Sequence, residues 1–185
     1  MEKKVKILGL AGSLRKQSYN CGLLRAALEI APSNCSLEIF DLEGIPLYNQ
    51  DEETNLPQSV VRLKAKVRAA DAVLIATPEY NYSIPGVLKN ALDWGSRPYG
   101  DNAWNNKPVA IMGASPGMQG TSRAQYHLRQ VFVYLNMHPI NQPEVMVGSC
   151  QDRFDAKGSL IDPKTRQKIG ELLTALAAYV RLLST

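Results

Sequence analysis

Two histidines, three cysteines and no long apolar run leave this 185-residue sequence without the usual signatures of several protein classes. His127 stands inside a helix-like segment and His138 precedes Pro139, so no Ser-His-Asp or Cys-His set assembles along the chain and no metal-ligand spacing appears. Cys21, Cys35 and Cys150 form no CxxC pair and leave one over if two are joined. That pattern fits reduced thiols and a cytoplasmic protein, with Cys21 a small packed residue and not a nucleophile. No apolar stretch approaches the roughly 18 residues of a membrane span. The apolar N-terminal run is interrupted by Lys6 and lacks a small-residue cleavage site, so it reads as a strand and not as a signal peptide. The formal net charge of +4 is mild and its basic residues are dispersed, with no stripe of the kind nucleic acid requires. A modest positive balance does suit a pocket that receives anions.

What is present is alternation. With 45% apolar and 21% charged residues, the chain has the composition of one globular domain over residues 1–185. Strand-like apolar runs fall at Val5–Ala11, Leu37–Leu42, Ala72–Thr77, Pro108–Ala114 and Glu144–Gly148. Helix-like segments lie between them. Ser18–Ala31 places Leu24, Leu28 and Ala31 on one face, Pro57–Ala70 repeats Val60, Leu63 and Val67, and Pro85–Ser96 and Thr121–Met137 follow. Pro163–Leu183 closes the set with an apolar stripe, Asp162 as N-cap and Pro163 in the first turn. No repeat, low-complexity tract or linker breaks the series. Five strands alternating with helices predict a parallel sheet covered on both faces.

In such sheets ligands bind beyond the carboxyl ends of the strands, where the strand order reverses. Three loops leave those ends. The first, "GSLRKQSYN" from Gly12 to Asn20, is neither a Walker A loop nor a GxGxxG fingerprint. Asp41, ending the second strand, imitates a ribose-binding acid but lacks the glycines that would go with it. Ser13, Arg15, Ser18 and Asn20 around a helix N-terminus suit a terminal monophosphate. The plain alternative is that Ser18 and Asn20 only cap a helix while Arg15 is solvated. The second loop, "TPEYNYSIPGVLKNALDW" from Thr77 to Trp94, can offer backbone groups to the edge of a flat heterocycle while a tyrosine covers it; alternatively it is a tyrosine-bearing surface turn. The third, "ASPGMQGTSR" from Ala114 to Arg123, is rich in glycine and can approach a planar ring closely.

Taken together, these motifs resemble the NAD(P)H-dependent FMN reductase family, in particular its bacterial chromate and quinone reductase branch. The similarity runs from about Lys4 to Leu183. The resemblance implies an α/β, flavodoxin-like three-layer sandwich with a five-stranded parallel sheet in the order 2-1-3-4-5. It also implies non-covalent FMN, with NADPH or NADH as co-substrate. By position, Ser13, Arg15, Ser18, Tyr19 and Asn20 would hold the phosphate. Pro78, Glu79, Tyr80 and Asn81 would meet the ring and ribityl chain, and Ser115 and Gly117 would close the other side. No side chain is assigned a catalytic role, since flavin N5 carries the hydride. Electrons would pass by a ping-pong cycle to small-molecule acceptors: quinones, flavins, azo compounds or oxidised metal ions such as chromate. The alternatives are a flavodoxin-type electron carrier without nicotinamide oxidation and a non-catalytic nucleotide-binding regulatory domain.

The helix-like segment Ser122–Pro139 bears on assembly. Ala124, Leu128, Val131 and Leu135 form a sheet-facing stripe, while Tyr126, Phe132, Val133, Tyr134 and Met137 spread apolar surface around the rest. A helix apolar nearly all round predicts burial by another subunit. The resemblance implies a homodimer or homotetramer, with Arg123 and Tyr126 expected to meet Glu144 across the contact.

Overall fold

A computed structural model of the chain describes residues 4–184, so the first three residues and the last one of the expected domain lie outside the described residues. Five helices and a parallel sheet alternate along it. The strands are β1 (Val5–Ala11), β2 (Cys35–Phe40), β3 (Ala72–Ala76), β4 (Pro108–Ala114), β5 (His138–Pro139) and β6 (Val145–Val147). The helices are α1 (Tyr19–Ile30), α2 (Gln58–Ala69), α3 (Gly86–Gly95), α4 (Ser122–Leu135) and α5 (Pro163–Leu183). The sheet order is β2-β1-β3-β4-β5, with β6 also paired to β4, and every pairing between these strands is parallel.

The order follows from burial. β3 and β4 are buried at every position, as strands with helices on both faces should be. β2 alternates toward exposure and takes an edge. The predicted fifth strand is divided in two. Pro108 and Val109 of β4 pair with β5, whereas Met112 to Ala114 pair with β6. Between the two pieces lies Gln142-Pro143, whose proline has no N–H to give to a ladder. β2 also begins earlier than the Leu37–Leu42 reading, because Cys35 is already in register with Val5.

Two apolar layers sandwich the sheet. α1 and α5 cover one face through Leu23, Leu24, Ile169, Leu172, Leu173 and Leu176, all buried. α2, α3 and α4 cover the other through Leu63, Val67, Leu88, Leu92, Leu128 and Phe132. Leu28 corrects the sequence reading: it is 50% exposed, because the buried stripe of α1 runs through Leu23, Leu24 and Ala27 and passes beside it. Phe132 and Met137 are corrections too, since both join the core. Lys64 is an unexpected core member. Only 2% exposed, it donates from Nζ to the Asp101 carbonyl at 2.9 Å and pairs with Asp101 Oδ2 at 2.8 Å. Its ammonium holds the Asp101 carboxyl below the usual carboxylate range and pins the loop between α3 and β4 onto α2.

Candidate functional site

The first loop is set by close packing. Gly12 N–H donates to the Ala76 carbonyl at 2.9 Å, carrying the β1–β3 ladder one residue further. A Cβ at Gly12 would stand 2.9 Å from Pro85 Cγ and 3.2 Å from Pro78 Cδ, so only glycine lets the first two loops touch. Ser13 and Ser18 are buried, while Arg15 is exposed. Ser18 N–H donates to Arg15 O at 2.9 Å, closing a turn, and Ser18 Oγ accepts from Asn20 N–H at 3.2 Å as the N-cap of α1. The capping reading of Ser18 is therefore correct. Among the described residues, the Tyr19 and Cys21 N–H groups of the first helical turn have no partner, as is ordinary at a helix start. Ser13 Oγ accepts from Arg15 N–H at 3.3 Å, and the Arg15 guanidinium lies 5.3 Å from the Tyr19 ring centroid.

Asn20 turns inward. Its side-chain amide donates to Ala114 O at 3.0 Å and its Oδ1 accepts from Ala114 N–H at 2.9 Å. A buried asparagine thus extends β4 by mimicking a strand partner and ties the α1 N-terminus to the start of the third loop. Its side chain is committed to that tie, and its contribution to anion binding is to position the helix end.

The second loop contains a tight turn. Tyr80 N–H donates to Ser83 O at 3.1 Å and Ser83 N–H donates to Tyr80 O at 3.0 Å. Asn81 and Tyr82 between them have φ of 52° and 64°. Two successive positive φ values define a type I′ turn, natural for asparagine and costly for tyrosine. Contacts with α4 hold it there. Glu79 accepts from Ala124 N–H at 3.1 Å and from Arg123 Nη1 at 3.3 Å, capping α4 from another loop. The Arg123 guanidinium lies 4.0 Å from the Tyr82 ring centroid, and His127 Nδ1 is 3.1 Å from Ser83 Oγ. Tyr80 and Tyr82 are exposed, at 51% and 66%. Among the described residues the Asn81 and Tyr82 N–H groups have no partner, so the turn offers two donors. Pro78 is buried against Gly12, and its carbonyl accepts from Thr77 Oγ1 at 2.8 Å.

The third loop is built to stay open. Ser115 N–H donates to Val147 O at 3.0 Å, its Oγ accepts from Gly117 N–H at 3.2 Å, and its carbonyl accepts from Cys150 N–H at 3.2 Å. A Cβ on Gly117 would meet nothing closer than Ser115 Oγ at 3.6 Å, so the space above this backbone is free. Met118 at the tip is 90% exposed.

Adjacent strands thus bring the three loops together, and long-range contacts lock each to the next. Ser83 goes unremarked in the sequence, and the roles of Arg123, His127 and Asn20 beside the loops are not read from it; their partners lie dozens of residues away, and no local pattern announces them. Arg123, Tyr126 and Glu144, expected to meet across subunits, each have a partner inside the chain. Tyr126 Oη is 3.2 Å from Glu144 Oε1 and Arg123 pairs with Glu79, both within one chain. Burial pushes the Cys150 thiol up to about 11, and Cys35 is raised for the same reason. Neither is a nucleophile at neutral pH. Among the described residues no group of three or more His, Cys, Asp or Glu gathers for a metal ion. No helix among them is long and apolar enough to cross a membrane.

The donor set decides what the site can hold. A hydroxyl, a guanidinium and free first-turn N–H groups at the α1 start fit a phosphate. Free turn N–H groups flanked by exposed tyrosine faces, opposite an uncovered glycine, fit the polar edge and flat face of a heterocycle. FMN has both parts, and the residues present fit it.

Comparison with known proteins agrees. The family described as NADPH-dependent FMN reductase matches residues 5–152. The chain is 52% identical over 184 residues to an NAD(P)H-dependent FMN reductase of Pseudomonas aeruginosa, covering 99% of each. It is 45% identical over 177 residues to a 2-hydroxy-1,4-benzoquinone reductase of a Burkholderia species, covering 96% of this chain and 97% of the other. Among solved structures, the flavoenzyme NAD(P)H:(acceptor) oxidoreductase FerB of Paracoccus denitrificans superposes with a TM-score of 0.87 at 35% identity, covering 96% and 97% of the two chains.

Proposed function

The chain belongs to the NADPH-dependent FMN reductase family, a group of oxidoreductases that use FMN with a nicotinamide co-substrate, and from that premise we propose how its site works. The protein holds FMN across the three loops, oxidises NADPH or NADH, and passes two electrons to quinones and flavins. Azo compounds and oxidised metal ions such as chromate fall within the same acceptor range, because an open, sparsely polar site discriminates little. When bound, FMN supplies the redox chemistry that no side chain here can provide.

The protein's own contribution is holding and orienting. Ser13, Arg15 and the N–H groups of Tyr19 and Cys21 receive the phosphate, with Ser18 and Asn20 fixing the helix end that presents them. Pro78 and Glu79 set the level of the second loop, so that Tyr80 and Asn81 meet the ring. Ser115 and Gly117 bound the opposite side. The observation that carries this reading is the Tyr80–Ser83 turn, held with two positive-φ residues by contacts from α4 directly beside an anion-ready helix start. Strain of this kind persists where a site needs it.

The side of the site bearing Tyr80, Tyr82 and Met118 is exposed, and both substrates use it in turn. Initial rates measured over a grid of NADPH and 1,4-benzoquinone concentrations should give parallel double-reciprocal lines. Intersecting lines would mean both substrates are bound at once and would contradict the shared space. We assign the protein to the cytoplasm, as a homodimer or homotetramer that buries the exposed Tyr126, Val133 and Tyr134 of α4.

A further inference from the structure

A cleft of about 540 Å3 opens between β6 and the first turns of α5, and none of the residues on its wall belongs to the three loops. Its floor is apolar: Val145 and Val147 are buried and share a core with Ile169 and Leu172 of α5. Arg153, Lys164 and Lys168 bring three positive charges to the wall. The carboxylates nearby are already engaged. Glu144 accepts from Tyr126 Oη at 3.2 Å, while Asp162 pairs with Arg153 at 3.1 Å and caps α5 by accepting from Thr165 N–H at 2.9 Å. Among the described residues, the Lys164 and Lys168 ammonium groups have no partner. By itself this arrangement is unfavourable. Lysines four positions apart on a helix hold their Cβ atoms about 5–6 Å from each other, and like charges so placed repel. The first turn of α5 contains no acidic residue, and cations there oppose the helix dipole. A bound anion relieves both.

We propose that this cleft is a second ligand site, for a small phosphate monoester with an apolar body. It lies outside the flavin site and does not depend on the reductase reading. The dianionic end meets Lys164 and Lys168, whose two unmatched charges equal its own, and takes charge-assisted hydrogen bonds from the guanidinium N–H groups that Arg153 does not give to Asp162. A single carboxylate would leave one ammonium unmatched. The apolar body rests on Val145, Val147 and Pro143. The volume falls in the range of about 300–1,000 Å3 usual for small-molecule sites, far more than an inorganic ion fills. The end of the helix is not itself the binding group, because Asp162 already occupies the Thr165 N–H; the side chains supply the attraction.

Met146 lies on the cleft wall and Met118 at the exposed tip of the third loop, so their methyl groups report on the two sites separately. The FMN-loaded protein, with methionine methyls labelled for NMR and the Met146 signal assigned through Met146→Leu, is titrated with phenyl phosphate, inorganic phosphate and benzyl alcohol. Phenyl phosphate should move the Met146 signal and leave Met118 in place. It should bind at least about tenfold more tightly than inorganic phosphate, which lacks the apolar body, and than benzyl alcohol, which lacks the charge. Lys164→Gln combined with Lys168→Gln should abolish the response. Lys168→Gln alone is the second variant and should weaken it part of the way. A Met146 signal that never moves, a response at Met118 alone, equal binding of either comparison compound, or a response that survives in the double variant would overturn the proposal.

Discussion

Replacing Asn20 by alanine removes both hydrogen bonds to Ala114 and leaves a buried N–H and a buried carbonyl without partners. Each such group costs about 1–3 kcal/mol. Asn20→Ala should therefore lower the stability of the apoprotein by about 2–6 kcal/mol, read from urea unfolding, and a smaller loss would show that water takes the place of the amide. Arg15→Ala should act differently. Its guanidinium is exposed and lies 5.3 Å from the Tyr19 ring centroid, so stability should hold while FMN affinity falls by about 1.5–3 kcal/mol, the range for a hydrogen bond to a charged group. Titration of apoprotein with FMN measures it, and unchanged affinity would remove Arg15 from the site. The contrast marks what could be read from sequence at this scale. The serines and arginine of the first loop suit an anion by their chemistry alone, and the proposed phosphate site rests on residues adjacent in sequence. Asn20 and Glu79 are polar as well, yet their side chains tie one element to another, and that follows only from partners 94 and 44 or 45 positions away.

The helices were legible where one amphipathic stripe dominates. α5 runs from Pro163 to Leu183, with Asp162 as N-cap accepting from Thr165 N–H at 2.9 Å and from its hydroxyl at 2.5 Å. Those bonds, the hydroxyl's first, and the Arg153 contact hold the Asp162 carboxyl below its ordinary range. A carboxyl whose folded value is depressed stabilises the protein at pH values above its unfolded value, about 3.9, and the contribution fades as pH falls below that. Asp162→Ala should cost about 1 kcal/mol at neutral pH. The gap between variant and parent should narrow in unfolding curves recorded below pH 4; a gap independent of pH would mean the charge plays no part. α4 was harder to read, because it has apolar residues on several sides. Phe132 enters the core, as does Met137 just beyond the helix, and only Tyr126, Val133 and Tyr134 remain exposed, at 55%, 81% and 73%. Periodicity cannot separate these groups when the stripe is this wide. The division of the last strand into β5 and β6 escaped notice for a related reason: two or three residues give no period to count.

At the scale of the whole molecule, alternation alone dictated a parallel sheet between two helical layers, and the strand order placed three loops side by side. The remaining exposed face of α4 predicts assembly. Light scattering at micromolar concentration should give at least twice the 20.4 kDa chain mass, and Val133→Asp should shift it toward one chain. A monomer with full activity would show that the face is covered in no complex. On the proposed function, this molecule itself draws electrons from a nicotinamide and does not wait for another protein to load it. Anaerobic mixing of the FMN-loaded protein with NADPH tests that most directly. The visible flavin absorbance should bleach with no other protein present and return when a quinone is added. Absorbance that stays unchanged until a separate reductase is supplied would make the protein an electron carrier and contradict the account.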